Sequence, residues 1–193
     1  MNADMYKIPE SNSIYIQQNL ISEISKKQEN QSYHVYFNQN LGYSRILNQN
    51  ILTLTPEFGI ELNHYFQASI FCKTIPQKFF INKNKTIQIK DFWNCGNAFA
   101  VIPFAASVVH PKIKVYGSMG KASGNKESNL TISPISIFFW SVKPELSLET
   151  NISENFKFNI GGGYNFVFSN DSKDLSEQAS GLEGILSISY NFL

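Results

Sequence analysis

Apolar and polar positions alternate along most of this chain. From Asn155 onward, Phe156, Phe158, Ile160, Gly162, Tyr164, Phe166 and Phe168 fall on one side, and Lys157, Asn159, Gly161, Gly163, Asn165 and Val167 on the other. Successive side chains of a strand point to opposite faces, so this period predicts a long strand with one aromatic and one small, polar face. Phe138, Trp140, Val142, Leu146 and Leu148 oppose Ser141, Lys143, Glu145, Ser147 and Glu149 in the same way, and the polar link 150–154 joins the two as a hairpin. Strands of globular proteins usually have about five or six residues, whereas a strand crossing hydrocarbon needs about nine to eleven. The length and the alternation together predict a membrane β-barrel.

Eight strands are predicted: 32–46, 51–62, 65–75, 95–109, 112–121, the two strands of the hairpin 138–168, and 181–193. The links between them are 48–50, Asn63-His64, 76–94, His110-Pro111, 122–130, 150–154 and 169–180. From the second strand on, these links run short, long, short, long, as expected of a barrel with tight turns at one end and longer outward loops at the other. Residues 1–31 are polar and do not alternate; Ile14, Leu20, Ile21 and Ile24 have a loose helical spacing. The expected organisation is therefore an N-terminal extension, 1–31, and a single all-β domain, 32–193. That domain is an antiparallel up-and-down transmembrane barrel.

Periodicity does not say which face meets lipid; composition does. Charged residues make up 16% of the chain, against about 25% in an average soluble domain, and 16 of its residues are Phe. The polar face carries Ser69, Ser147, Ser187, Ser189, Asn159 and Asn165, small groups that suit a narrow lumen better than a water-facing surface. The expected lipid-facing set is thus Phe58, Phe138, Trp140, Leu146, Leu148, Phe156, Phe158, Ile160, Tyr164, Phe166, Ile188, Tyr190 and Phe192. Aromatic residues near strand ends, Tyr43 and Phe168 among them, would supply interfacial girdles. The mean hydropathy of −0.19 and the absence of an 18-residue apolar run exclude a helical span but not a barrel. A net charge of +1 argues against a nucleic-acid partner. Residues 1–10 lack a basic start followed by an apolar core, so an exported chain would be in a mature or trimmed form.

There is also an internal echo. Pro56-Glu57-Phe58-Gly59-Ile60-Glu61 recurs as Pro144-Glu145-Leu146-Ser147-Leu148-Glu149. With Ile102-Pro103-Phe104 leading to Lys112-Ile113-Lys114-Val115-Tyr116-Gly117, with 155–164 and with the terminal strand, this pattern resembles the small eight-stranded outer-membrane β-barrel proteins typical of Bacteroidetes-like bacteria. These are related in architecture to the OmpA and OmpX transmembrane domains. The resemblance covers 32–193 and implies a bacterial outer-membrane location, contact with outer-membrane lipid and lipopolysaccharide, and insertion by the outer-membrane assembly machinery. Leu186, Ile188, Tyr190 and Phe192 fit the aromatic-rich final strand of such barrels, but Leu193 displaces the aromatic from the last position.

The candidate chemistry is ionic rather than catalytic. Glu57, Glu61, Glu145, Glu149 and Glu183 share the inward parity with Lys73, Lys114, Lys143 and Lys157. Unpaired charge in a narrow lumen is costly, so a salt-bridge network filling the barrel is expected. A glycosidase pair is disfavoured, because glutamates four apart in a strand stand about 13 Å apart, beyond the ~5–9.5 Å such chemistry uses. His34, His64 and His110 are expected in or near turns at one end, away from any outer-rim serine, and suggest neither a catalytic triad nor a metal site. No catalytic residue, metal or cofactor is expected. Cys72 and Cys95 flank the segment 76–94: a disulfide pinning it competes with two free thiols, and the lipid-face parity of Cys72 favours the thiols. The expected protein is a monomeric, non-enzymatic barrel, structural or adhesive through its outward loops, with an unspecified surface ligand. The alternatives are a soluble or periplasmic lipocalin-like barrel holding a small apolar ligand, and a narrow pore.

Overall fold

The computed structural model describes residues 33–82, 84–128 and 131–192; the proposed extension 1–31 lies outside them. Eight long antiparallel strands close into a ring: β1 (Tyr33–Ile46), β2 (Gln49–Leu62), β3 (Phe66–Thr74), β5 (Ile87–Val101), β6 (Val109–Ser128), β7 (Thr131–Asn151), β8 (Phe156–Phe168) and β9 (Gly181–Phe192). Each pairs with its neighbour in sequence, β3 pairs with β5, and β1 closes on β9 with Leu41 opposite Leu186. A two-residue strand, β4 (Phe79–Phe80), pairs with Gln88 and Ile89 of β5. Among the described residues there is one helix, α1 (Lys173–Ala179), between β8 and β9, its N-cap Ser172 accepting a hydrogen bond from the Leu175 amide.

The tightest turns have their own backbone signature. Leu47 and Asn48, and Asn63 and His64, all have positive φ, as hairpin turns matched to the strand twist require. One end of the ring, the terminal end, holds Tyr33, Phe192 and the turns 63–65, 102–108 and 152–155. The other, the loop end, holds the turn 47–48, the segments 75–82, 84–86 and 169–180, and the paired ends of β6 and β7 at Ser128 and Thr131.

Several expected boundaries move. The strand expected at 95–109 runs from Ile87 to Val101, so half of the expected loop 76–94 is wall. Residues 122–128 of the expected loop 122–130 continue β6, which pairs with β7 as far as Ser128 and Thr131. His110-Pro111 is not a turn but part of β6. The strict short–long alternation of links is lost accordingly, because β6 and β7 stay paired as far as Ser128 and Thr131 and 102–108 is a longer turn. Residues 169–180, expected as loop, fold around α1.

β7 outruns β8. Trp140 to Asn151 pair with β8, whereas no described strand pairs with 131–139 on that side. At Phe138 the gap is covered: its amide donates to Asp171 Oδ2 at 3.2 Å, and the Ser169 hydroxyl donates to its carbonyl at 2.7 Å. Alternate residues share a direction, so Ser136, Pro134 and Ile132 present their backbone to the open edge. Pro134 has no N–H to offer, which blunts that edge against pairing with another chain. Pro134→Val should restore the donor and raise the oligomeric fraction in detergent, read by light scattering. An unchanged molar mass would refute this role for the proline.

Candidate functional site

The alternating pattern places the inward side chains of the eight strands in a lumen, and they are charged. Five glutamates (Glu57, Glu61, Glu145, Glu149, Glu183) and five lysines (Lys73, Lys112, Lys114, Lys143, Lys157) are buried there, so the formal charges balance. In the middle, the Glu57 carboxylate accepts from Lys114 Nζ at 2.7 and 2.9 Å, from the Tyr36 hydroxyl at 2.9 Å and from the Ser69 hydroxyl at 2.6 Å. Towards the loop end, Lys73 donates to both oxygens of Glu183 at 2.9 and 2.8 Å, Thr53 donates to it at 2.6 Å, and Lys143 lies 3.1 Å from Glu145 and 3.5 Å from Glu183. Gly42 makes room for this group: a Cβ there would collide with Glu183 Oε1 and the Thr53 hydroxyl. Towards the terminal end, Lys157 bridges Glu61 at 2.7 Å and Glu149 at 3.4 Å, and Lys112 donates to Glu149 at 2.8 Å.

All nine residues expected in the network lie in this lumen, and two partners join them that the sequence reading did not include. Lys112 pairs with Glu149, and His110 reaches the same carboxylate at 3.2 Å while its Nδ1 lies 2.8 Å from the Ser107 carbonyl oxygen. His110 follows from β6 beginning at Val109 rather than after a turn at Pro111. Lys112 already lay in the expected strand 112–121, and the parity of Lys114 and Tyr116 would have found it. His64 lies 3.1 Å from Glu61 and its ring sits 4.9 Å from that of His34. These histidines are part of the ionic layer at the terminal end.

Above the charges, at the loop end, the lumen turns apolar. Ile46, Ile51, Ile75, Phe79, Ile81, Ile89, Phe92, Ala122, Ile137, Phe139, Val167 and Leu175 form one buried cluster. Its centre is aromatic: Phe92 stacks on Phe139 with ring centroids 4.8 Å apart, and Phe79 meets Phe92 edge-on at 6.1 Å. Segment 75–86 lays Ile75, Phe79 and Ile81 into the mouth, and α1 adds Leu175. Nothing in the sequence reading anticipated this plug.

The outward face is the reverse. Phe58, Phe138, Trp140, Leu146, Leu148, Phe156, Ile160, Tyr164, Phe166, Ile188 and Phe192 are exposed, and Phe158 and Tyr190 are half-buried among their neighbours. Trp140 and Phe168 stack at 4.0 Å near the loop-end rim, and Tyr190 meets Phe156 and Phe192, each at 5.0 Å, at the other. Along β6 the exposed apolar positions run from Val109 to Met119. Ten residues at ~3.3 Å, tilted by about 40°, span about 25 Å of height, the thickness of the apolar band of a membrane barrel.

Cys72 and Cys95 are direct cross-strand partners on β3 and β5 and are joined by a disulfide. The preference for free thiols is thereby overturned. Once β5 starts at Ile87, the two cysteines are opposite one another within the wall rather than at the ends of a loop.

No protein-family model and no curated protein matches the chain. Solved structures do. The N-terminal β-barrel domain of OprF from Pseudomonas aeruginosa aligns with a TM-score of 0.54 at 8% identity, over 84% of this chain and 98% of that one. Neisserial surface protein A gives 0.54 at 12% identity over the same shares. Ail, the attachment invasion locus protein of Yersinia pestis, gives 0.50 at 11% identity, over 83% of this chain and 97% of that one. This is the fold of the small outer-membrane β-barrels. At such identities the likeness concerns the fold alone.

Proposed function

We propose that this chain is a non-enzymatic β-barrel of a bacterial outer membrane, with a closed lumen and a structural or adhesive role exercised through its loop end. The observation that carries the reading is the polarity of the wall: a closed ring with large exposed hydrophobics around its waist and ten buried, charge-balanced groups inside. A water-facing surface rarely bears apolar patches larger than a few hundred Å², and this belt encircles the molecule. Lipid is the solvent that suits it. The lipocalin-like alternative requires the opposite polarity, with apolar residues lining a cavity and charges outside.

The non-enzymatic reading rests on how the ionisable groups are used. The lumen glutamates are engaged by lysines, and His64 and His110 by Glu61 and Glu149, at the end away from the outward loops. The closed-lumen reading rests on the two layers in series, ionic below and apolar above. Among the described residues, the surfaces left for interaction with another cell or molecule are 75–82, 84–86, 169–180 and the ends of β6 and β7 near Ser128 and Thr131.

The deciding experiment is fractionation followed by gel migration with and without boiling. Heat-dependent mobility from the membrane pellet is expected, and a soluble monomer would overturn the proposal. Planar-bilayer recordings should show no conductance steps; sustained steps would overturn the closed lumen. Val115→Arg, at mid-height on the outward face, should cost about 2–4 kcal/mol of folding stability in lipid vesicles, as a cation near a bilayer midplane does. A neutral effect there would mean that the belt does not meet hydrocarbon.

A further inference from the structure

Among the described residues, two carboxamides lie on the outward face within the apolar belt. Gln39 of β1 is half-buried and donates to the Asn40 carbonyl oxygen at 3.1 Å. Asn97 of β5 is exposed, and its carboxamide has no hydrogen-bond partner among the described residues. Its cross-strand neighbours are Ile70 on β3 and Gly117 on β6. Gly117 stands one outward position inside Met119, where the exposed apolar run of β6 ends. Hydrocarbon offers a carboxamide no hydrogen bond, so this position is unfavourable unless another polar group meets it there.

Gly117 is equally unexplained from inside the barrel. A glycine within a strand gives up stability, and it is found where a turn or bulge needs it or where something approaches too closely for a Cβ. Gly117 has no positive φ, and the register of β6 against β5 and β7 runs through it without a slip. A Cβ built on it would meet no atom within 4 Å, so nothing in the described chain excludes a side chain there. Asn97 and Gly117 together make a notch in the wall, and Ile70, Phe99, Val115 and Met119 stand exposed around it.

We infer that this patch of β3, β5 and β6 is the interface of a two-fold symmetric dimer in the membrane plane, with the two Asn97 carboxamides hydrogen-bonded to each other and the two walls in contact at Gly117. The inference rests on the membrane reading above and goes beyond it, to a second copy of this chain where the sequence reading expected a monomer. A carboxamide carries both donor and acceptor, so two of them satisfy each other in a reciprocal pair. Copies that share a membrane hold the same depth and orientation. A two-fold axis along the membrane normal therefore brings the Asn97 side chains of two copies together at one height. Because the strands of both walls tilt, two such barrels cross at a small patch rather than along a seam. A notch at that crossing lets the backbones approach and the exposed side chains around it interlock, as small residues do between membrane helices.

The test is the molar mass of the full chain in detergent micelles, by sedimentation equilibrium over a range of protein-to-detergent ratios. A reversible dimer is expected. Asn97→Leu should weaken it about tenfold, the order that a polar contact inside a bilayer contributes, while Asn97→Gln keeps it. Gly117→Val should also separate the copies. Gly184→Val should not, because Gly184 has similar room for a Cβ but lies on the outward face of β9, away from the patch. Asn97→Leu should leave the single barrel at least as resistant to urea as the parent, a result that a residue needed for the fold would not give. A monomer at every ratio that still shows heat-dependent mobility, or a dimer unchanged in Asn97→Leu, would overturn the interface and leave the membrane reading intact. A chain that never acquires heat-dependent mobility would overturn both.

Discussion

Replacing Glu57 with alanine is expected to destabilise the folded barrel by about 3–5 kcal/mol, the usual cost of removing one partner from a buried ion pair. The carboxylate serves Lys114, Tyr36, Ser69 and Asn38 at once, the last at 3.2 Å, and is 1% exposed. Without it the Lys114 ammonium, 2% exposed, faces no carboxylate at hydrogen-bond distance in its layer. The measurement is the urea midpoint of folding in lipid vesicles. Glu57→Leu combined with Lys114→Met should recover most of the loss, because removing both charges leaves neither stranded. If the single variant costs less than about 1 kcal/mol, the level of an exposed pair, then water reaches this layer and the lumen is not closed.

Phe92→Ala is expected to cost a comparable amount, about 3–5 kcal/mol, but for a different reason. The ring is sandwiched between Phe139 and Phe79, so its loss leaves a void that the rigid wall cannot collapse into. The effect should also be local. The Phe92 carbonyl accepts from the Ile75 amide at 3.2 Å and from the Thr74 hydroxyl at 3.1 Å, which fixes the start of segment 75–86 over the mouth. With the ring gone, trypsin should cut at the exposed Lys78 and Lys85 faster than in the parent, before the barrel itself unfolds. Unchanged stability with unchanged cleavage would mean that the apolar plug is not what holds the segment in place.

The wall was largely legible in the sequence. Where a strand runs through the waist, outward residues are oily and inward ones polar, so Phe156 to Phe168 or Leu52 to Leu62 announce both strand and facing. The same rule explains the errors. Towards the loop end the polarity of the two faces inverts: inward Phe92, Ala122, Ile137 and Phe139 pack the plug, while outward Asp91, Lys121 and Ser123 meet water or headgroups. Alternation then changes phase within a strand, and Ile87–Asn94 and Ala122–Ser128 read as loops. At the candidate site, the glutamates and most of the lysines were visible because parity alone identifies them. His110 was hidden by a proline tolerated near the start of a strand, while Lys112, at the first position of its expected strand, shared the parity of Lys114 and was passed over. The plug was invisible because it depends on segment 75–86 folding back across the mouth, a long-range event with no local signature.

The bridge between Cys72 and Cys95 lies on the outward face of the wall, where Cys72 is exposed. With acyl chains against that face, water-borne oxidants have no access to the sulfurs once the protein is seated. On the membrane reading proposed above, the bond is then expected to form before insertion, while the chain is still in an aqueous compartment, with one strand pairing already fastened.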